Sequence, residues 1–502
     1  MVEKETDIVS ILEKALSAQP QEKLEETGTV IKVADDICKV YGIKNAVNGE
    51  LIEFERGSQG IVFDLDEDYV SVVLLETGVS VIEQEIAKRT GTVFKVPVGE
   101  NLLGRVISAV GKPLDSLGEI KTGEMLPIER LSPGIVERVP VNESLETGIV
   151  VIDSLVPIGK GQRELLIGNR STGKTSIVLD TILHQKGKNV ICVYVSVGHK
   201  QASTARFINQ LEKGGAMDYT IVVSADAKET ALTQFIAPYS GCTIAEFFMH
   251  KGNDVLIIYD DLSKHAIAYR ELSLLLRRPP GREAYPGDIF YIHSRLLERA
   301  CKLSPENGGG SLTAIPIAQT QDDDISAYIP TNLISITDGQ IFLDTSLFNQ
   351  GIRPAVNIGL SVSRVGGAAQ TKAVKKVSGS LKLELSQYSE LLAFAQFGSE
   401  LDKDSQRTLE RGKRAVELLK QKERTTYSFV DQTLFLFLFQ KDYLDKLKLK
   451  DVKQFSLQFA SFVKATYPKI YQNIFETKKL DDSDESKLDK IVTEFEIIFS
   501  ES

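Results

Sequence analysis

The chain has 502 residues, more than one hydrophobic core usually supports, so two or three domains are expected. Hydrophobic residues make up 42% of it and charged residues 25%, which are the proportions of an ordinary globular protein. The net charge of −10 and the pI near 5.3 argue against a nucleic-acid-binding protein, because neutralising phosphates needs a basic face.

The first hundred residues predict an N-terminal arm followed by a small barrel. In residues 1–27, apolar side chains recur at helical spacing and predict a short helix, with a frayed terminus as the alternative. Residues 28–96 contain short β-rich segments separated by Gly, Asn and Asp turns, for example Gly60-Ile-Val-Phe and Tyr69-Val-Ser-Val-Val-Leu-Leu. This spacing is typical of a small β-barrel.

The middle of the sequence, residues 97–376, alternates short apolar segments with helical patterns. The strand candidates are Leu165-Leu-Ile, Asn189-Val-Ile-Cys-Val-Tyr-Val, Tyr219-Thr-Ile-Val-Val, Val255-Leu-Ile-Ile-Tyr and Thr313-Ala-Ile-Pro-Ile. Such alternation predicts an α/β domain in which helical crossovers join parallel strands. Long helical patterns dominate from residue 377 to residue 502, so we expect a C-terminal α-helical domain.

The cysteines and the apolar runs indicate a soluble protein. Its four cysteines are scattered, without C-x-x-C spacing or a secretory leader, and we expect buried, reduced thiols. The most apolar run, Leu434 to Phe439, is far shorter than a membrane span. Such a protein can still belong to an assembly attached to a membrane.

A phosphate-binding loop is the most specific motif in the sequence. It runs Gly168, Asn169, Arg170, Ser171, Thr172, Gly173, Lys174, Thr175 and fits G-x-x-x-x-G-K-[ST], and Ser176 directly after it is a further nucleotide-binding candidate. A predicted strand precedes it, and an apolar helix beginning at Ser176 follows it, which is the order that the chemistry requires. Backbone N–H groups and the helix N-terminus would hold the phosphates of ATP or ADP, Lys174 would reach the β and γ oxygens, and the Thr175 hydroxyl would face Mg²⁺.

A second metal-side candidate follows a later strand. Val255-Leu-Ile-Ile-Tyr-Asp260-Asp261 is an apolar strand that ends in carboxylates, as P-loop folds use to hold Mg²⁺ through water. Taken alone, such an aspartate more often caps a helix. Because this strand lies downstream of a P-loop, we favour the interpretation that Asp260 is the carboxylate that holds Mg²⁺.

Several long segments together resemble one family. They are Pro157-Ile-Gly-Lys-Gly-Gln-Arg-Glu-Leu, Tyr259-Asp-Asp-Leu-Ser-Lys, Leu274-Leu-Leu-Arg-Arg-Pro-Pro-Gly-Arg-Glu, His293-Ser-Arg-Leu-Leu-Glu-Arg-Ala, Ser335-Ile-Thr-Asp-Gly-Gln and Gly359-Leu-Ser-Val-Ser-Arg-Val-Gly. Over about residues 25–475 the sequence resembles the α subunits of F-type rotary ATPases. The resemblance implies a barrel, a RecA-like P-loop domain and a helical domain.

The same resemblance implies an assembly. Catalytic β-type subunits would alternate with this protein in a ring of three plus three around a central rotating shaft, and a stalk subunit would meet the N-terminal arm. The complex would lie at the cytoplasmic side of the cell membrane, and the subunit would touch the membrane only through the assembly.

Site roles are also implied by the resemblance. Arg364 matches the arginine finger that reaches the γ-phosphate in the neighbouring β-type site, and Ser335 matches a serine that approaches the same phosphate. Arg353 and Pro354 match the pair that borders the adenine of the subunit's own nucleotide. Gln421 and Glu423 stand where the family usually places two adenine-contacting glutamines.

Besides Glu423, four positions depart from catalytic or family patterns. His199 stands where catalytic β-type subunits carry the glutamate that orients water, so the protein alone is expected not to hydrolyse ATP. Asn169, Ser171 and Gln319 replace the family's aspartate, glutamine and glutamate. Fewer carboxylates near the metal predict that EDTA displaces the nucleotide more easily.

Other functions remain open at this point. A homohexameric export ATPase would need an acidic residue at position 199, and a hexameric RNA translocase would need a basic, aromatic barrel, whereas residues 28–96 are rich in acids. The nucleotide could also be purely structural at a subunit interface. A related motor without a proton channel is a further alternative.

Overall fold

The computed structural model describes residues 26–76, 81–121, 123–396 and 402–500. The predicted helix of the N-terminal arm, residues 1–25, lies outside the described residues. Contacts divide the protein into two compact units, Met1–Lys95 with Leu272–Arg278, and Val96–Glu271 with Pro279–Ser502.

The first unit contains a closed six-stranded barrel. Its strands are β1 (Thr27–Ala34), β2 (Ile37–Tyr41), β3 (Glu50–Phe54), β4 (Gln59–Leu65), β5 (Val70–Leu74) and β6 (Ile86–Val93), in the order β1-β2-β5-β4-β3-β6. Alternate residues such as Val30, Val40 and Val72 point inward and are fully buried. One buried acid is paired: the guanidinium of Arg89 donates two hydrogen bonds of 2.9 Å to the carboxylate of Glu50.

The second unit is organised around an eight-stranded sheet. Two strands, β7 (Lys95–Val98) and β9 (Glu124–Pro127), pair separately. The sheet contains β8 (Val106–Ser108), β10 (Leu165–Asn169), β11 (Val190–His199), β12 (Thr220–Asp226), β13 (Asp254–Asp260), β14 (Ser311–Thr320), β15 (Gly339–Leu343) and β16 (Val362–Ser363). Their order is β16-β15-β10-β14-β13-β11-β12-β8, parallel except for β16. Since both faces are covered, strands such as β11 and β13 are almost continuously apolar.

Helices cover this sheet and continue into a C-terminal helical layer. Around the sheet lie α1 (Val150–Leu155), α2 (Lys174–His184), α3 (Gln201–Gly214), α4 (Ala231–His250), α5 (Leu262–Leu275), α6 (Ile289–Leu297), α7 (Tyr328–Ile336) and α8 (Thr345–Asn349). The C-terminal layer contains α9 (Lys372–Ser378), α10 (Leu381–Gln396), α11 (Lys403–Leu419), α12 (Phe429–Gln440), α13 (Val452–Thr466), α14 (Pro468–Thr477) and α15 (Asp482–Ser500).

The centre of the C-terminal layer is α12. Ser428 caps it, since its hydroxyl accepts a hydrogen bond from Asp431 N while the Asp431 carboxylate accepts one from Ser428. The apolar run of this helix is buried among its neighbours. The predicted architecture of barrel, α/β P-loop domain and helical domain is confirmed, whereas the boundaries at residues 27, 96 and 376 stay predictions.

Two predictions from composition can be compared with this fold. All four cysteines are buried and unpaired. Within the described ranges, no helix combines the length and the apolar character that crossing a membrane would require.

Candidate functional site

The P-loop connects the end of β10 to the start of α2 in the middle of the sheet. A Cβ atom on Gly168 would lie 2.6 Å from the carbonyl oxygen of Leu343, so only glycine fits at that position. Gly173 has φ of 100° and lies directly before the helix, while Ser171 has φ of 65°. The helix begins at Lys174, two residues earlier than the sequence predicts, because the left-handed turn is completed at Gly173.

The side chain of Lys174 is folded onto the loop that it closes. Its ammonium donates a 2.6 Å hydrogen bond to the carbonyl of Gly168 and a second one to the carbonyl of Asn169. Burial lowers its pKa to about 8, against the opposing charges of nearby aspartates. Thr175 and Ser171 are exposed at the same loop. The loop therefore presents a cation and exposed hydroxyls to an anionic ligand.

Asp260 ends β13, two strands away from the P-loop strand. Burial would raise the pKa of its carboxyl, yet hydrogen bonds from His199 and Tyr194 hold that pKa below the ordinary value. The phenol of Tyr194 donates to Oδ2 at 2.8 Å, and the Nε2 atom of His199 lies 3.0 Å from Oδ1. The predicted metal-side aspartate is thus buried and held from two sides.

His199 is fixed at both ring nitrogens. Its Nδ1 atom lies 3.0 Å from the Nζ atom of Lys264. An ammonium can only donate, so Nδ1 accepts from Lys264 and the Nε2–H group donates to Asp260. The imidazole therefore bridges a lysine and an aspartate at the end of β11.

Gln319 donates a hydrogen bond to Asp261, as His199 and Tyr194 do to Asp260. Its amide Nε2 donates a 2.6 Å hydrogen bond to Oδ2 of Asp261, and its backbone N–H donates to the hydroxyl of Ser263. Burial raises the pKa of the Asp261 carboxyl. A glutamate at position 319 could not donate this bond. The departure at Gln319 therefore satisfies a buried carboxylate.

Asn169 belongs to a closed ring of hydrogen bonds beside the P-loop. Its Oδ1 atom accepts from the hydroxyl of Thr320 at 2.8 Å and from the backbone N–H of Asp323 at 2.9 Å. Its amide donates to the hydroxyl of Thr345 at 3.0 Å, which in turn donates to Oδ1 of Asp323 at 3.0 Å. A carboxylate thus lies next to the loop, although position 169 has none.

A cleft adjoins the P-loop on the side of the C-terminal helices. The residues that line it are Ile149, Thr172, Gly173, Ser176, Ile177, Asp180, Phe348, Arg353, Pro354, Ala355, Gln421, Lys422 and Glu423. The guanidinium of Arg353 lies 4.3 Å from the ring centroid of Phe348. All four residues predicted to border the base, Arg353, Pro354, Gln421 and Glu423, therefore line one cleft together with the start of α2.

Arg364 and Ser335 lie away from this cleft. Arg364 follows β16, where its backbone N–H donates to the carbonyl of Asp338 at 2.8 Å, and its side chain is exposed. Among the described residues, no carboxylate forms an ion pair with its guanidinium. Ser335 is exposed on α7 and donates to the carbonyl of Asn332 at 2.8 Å. Neither residue belongs to the subunit's own P-loop site.

Several residues of the site were not predicted from the sequence. Asp180 lies four residues after Ser176 on α2, so helical spacing could have placed it on the same face. Phe348, Thr345 and Asp323 come from later segments, and only the observed strand order brings them to the P-loop. Tyr194 on β11 and Lys264 on α5, the helix after β13, join the site in the same way.

Comparisons with known proteins match nearly the whole sequence. Three ATP synthase alpha/beta family models match parts of it: the beta-barrel domain over residues 23–91, the nucleotide-binding domain over residues 148–363 and the C-terminal domain over residues 370–495. A protein of Clostridium botulinum described as ATP synthase subunit alpha is 54% identical over 497 residues, which is 99% of both sequences. One of Acetivibrio thermocellus with the same description is 56% identical over 473 residues, or 94% of both.

Proposed function

The chain belongs to the ATP synthase alpha/beta family as an alpha-type subunit, and from this premise we propose that it binds MgATP or MgADP without hydrolysing it and acts chemically in a neighbouring subunit. The complex would couple ATP synthesis or hydrolysis to rotation, and ordinarily to proton transport. The observation that carries this proposal is a contrast between two residues. His199, near the P-loop, has both ring nitrogens engaged by Lys264 and Asp260, whereas Arg364 is exposed and forms an ion pair with no described carboxylate.

The donor set at the P-loop fits Mg²⁺. The ion prefers oxygen ligands, and Thr175, Asp260 and Asp261 offer a hydroxyl and carboxylates on one edge of the sheet. Ligand atoms of His199, Asp260 and Asp261 lie within 4.8 Å of one another. Thr175 would hold the ion directly and Asp260 through water, and Mg²⁺ would neutralise charge on the β and γ oxygens. Lys174 would leave the loop carbonyls for the phosphates.

His199 is the reason for proposing that this site does not hydrolyse ATP. A general base must accept a proton from the attacking water. The free electron pair of the imidazole is already used by Lys264, and its N–H group is used by Asp260. Gln319 likewise supplies an amide, bonded to Asp261, where the family pattern has a carboxylate. Nucleotide bound here would therefore stay intact and stabilise or regulate the assembly.

Arg364 is proposed as the group that acts in the neighbouring catalytic site. Its exposed guanidinium follows the edge strand β16, and the backbone bond to Asp338 fixes the base of this segment. A cation without an ion-pair partner among the described residues suits a role in trans, where it would stabilise charge that develops on the γ-phosphate. Ser335, on the exposed face of α7, would approach the same phosphate.

The partners follow from the family. Catalytic β-type subunits would alternate with this protein in a ring of three plus three around a central shaft, and a stalk subunit would bind the N-terminal arm. The complex would be peripheral, on the cytoplasmic side of the cell membrane. No role in nucleic-acid binding is proposed.

The test is Arg364→Ala in rings reconstituted with the β-type partner. Turnover should fall by about 10³-fold or more, as for other arginine fingers, while ring assembly and bound nucleotide remain unchanged. Arg407→Ala removes another exposed arginine, 72% accessible, and should leave turnover unchanged. Equal turnover of Arg364→Ala and unsubstituted rings, or hydrolysis by the isolated subunit, would overturn the proposal.

A further inference from the structure

The polar groups of the cleft beside the P-loop differ in whether they can still form hydrogen bonds to a ligand. Gln421 is buried, and its amide Nε2 donates to the carbonyls of Gly148 and Thr425. Its Oε1 atom accepts from the backbone N–H of Val150 at 3.0 Å. Both amide hydrogens are therefore used inside the protein, so Gln421 has no donor left for a ligand in the cleft.

Two carboxylates line the same cleft. Oε1 of Glu423 accepts from the hydroxyl of Ser176 at 3.0 Å, and Oδ1 of Asp180 accepts from the backbone N–H of Arg424 at 2.9 Å. In the part of the protein that the structure describes, the second oxygen of each carboxylate has no hydrogen-bond donor. Glu423 is exposed at the rim, whereas Asp180 is buried. On this wall of the cleft the hydrogen-bonding capacity that remains is therefore that of acceptors, whereas the donors that line the cleft are the cationic side chains of Arg353 and Lys422.

Adenine and guanine place different demands on such a wall. The Watson–Crick edge of guanine has two adjacent donors, N1–H and the N2 amino group, and a carboxylate can accept both at once. The corresponding edge of adenine has one donor, the N6 amino group, next to N1, which accepts. A carboxylate satisfies only the amino group of adenine and places a negative oxygen near N1.

We propose that Glu423 makes this cleft accept guanine nucleotides at least as well as adenine nucleotides. This inference rests on the proposed function, namely that the P-loop holds the phosphates and the adjoining cleft holds the base. Glu423 then determines base specificity. An amide at position 423 would have both a donor for N1 and an acceptor for the N6 amino group of adenine, and would reverse the preference.

The test measures the dissociation constants of MgADP and MgGDP for the full-length protein by isothermal titration calorimetry. For the unsubstituted protein, the dissociation constant of MgGDP should not exceed that of MgADP. Glu423→Gln should shift the ratio of the two constants about tenfold or more toward MgADP, because one charged hydrogen bond is lost to guanine and one neutral bond is gained by adenine. Since Glu423 is exposed, this variant should fold normally.

Two matched variants separate the possible failures. Glu417→Gln makes the same chemical change outside the cleft, where Glu417 pairs with Lys420 at 2.7 Å, and should leave the ratio unchanged. Lys174→Ala should weaken both nucleotides. If Lys174→Ala weakens both but Glu423→Gln does not move the ratio, or if the unsubstituted protein binds MgADP more tightly than MgGDP, the base inference is wrong and the proposed function stands. If Lys174→Ala weakens neither, the proposed function itself fails.

Discussion

Replacing Asn169 with aspartate perturbs the ring of hydrogen bonds that holds the P-loop. The Thr345 hydroxyl has a single hydrogen, which it donates to Asp323 while it accepts from Asn169. With aspartate at position 169, two carboxylates would compete for that hydrogen. Although the family pattern has aspartate at this position, we expect Asn169→Asp to destabilise this protein because Asp323 already supplies the charge.

The magnitude can be worked from the distances. Both side chains lie 3.0 Å from the Thr345 hydroxyl, so their oxygens would be no more than about 6 Å apart, and two charges at that distance repel by ~3 kcal/mol at an effective dielectric constant of ~20. Asp323 is partly exposed, and solvent screening reduces this to roughly 1–2 kcal/mol. The lost hydrogen bond to a carboxylate adds about 1.5 kcal/mol.

The assay is a double-mutant cycle on the nucleotide-free protein, followed by thermal unfolding. Asn169→Asp should lower Tm by several degrees, whereas in the background of Asp323→Asn the same change should cost little. Asp322→Asn, at an exposed neighbouring position, is the matched control and should give no coupling. Equal costs of Asn169→Asp with and without Asp323 would refute the reasoning.

Two further predictions concern the metal and the pH. Asp323→Asn should make bound nucleotide easier to displace with EDTA, and the apparent Mg²⁺ affinity should fall about tenfold in a titration with a fluorescent nucleotide, because a carboxylate beside the loop is lost. Asp322→Asn should change neither. Nucleotide affinity should be constant just below pH 8, above the pKa of about 6 to which burial raises the Asp180 carboxyl in the same cleft. Above pH 8 it should fall toward tenfold per pH unit, since burial lowers the Lys174 pKa to about 8 and only the charged ammonium pairs with phosphate. Affinity that is flat up to pH 10 would contradict the second prediction.

Local patterns predicted the elements of this fold because each pattern reflects a physical demand. The continuous apolar run of residues 190–195 became a strand that is buried on both faces, and the alternating segments before residue 96 became a barrel. The resemblance to the alpha-type family is confirmed by the family models and by relatives at 54–56% identity. The assignments of Arg364 and Ser335 stay predictions.

The details of the site depended on which strands are neighbours, and the sequence does not encode that order locally. Compared with the family pattern, Asn169 and Gln319 remove negative charge from the nucleotide site. The fold shows that Asp323 lies one hydrogen bond away from Asn169, and that Gln319 donates to Asp261. Both relationships cross from one strand to the next, so single positions compared with a family pattern could not reveal them.

The cleft also has a mechanical consequence. Residues 420–428 connect α11 to α12, and bonds from Gln421, Glu423 and Arg424 attach this connection to Gly148 before α1, to Val150 at its start and to α2. A nucleotide in the cleft would act as an additional crosslink between the sheet and the C-terminal helices. The presence of nucleotide in the cleft would then determine the stiffness of this connection. An uncleaved nucleotide would therefore determine how far the sheet and the C-terminal helices twist relative to each other when torque acts on the protein.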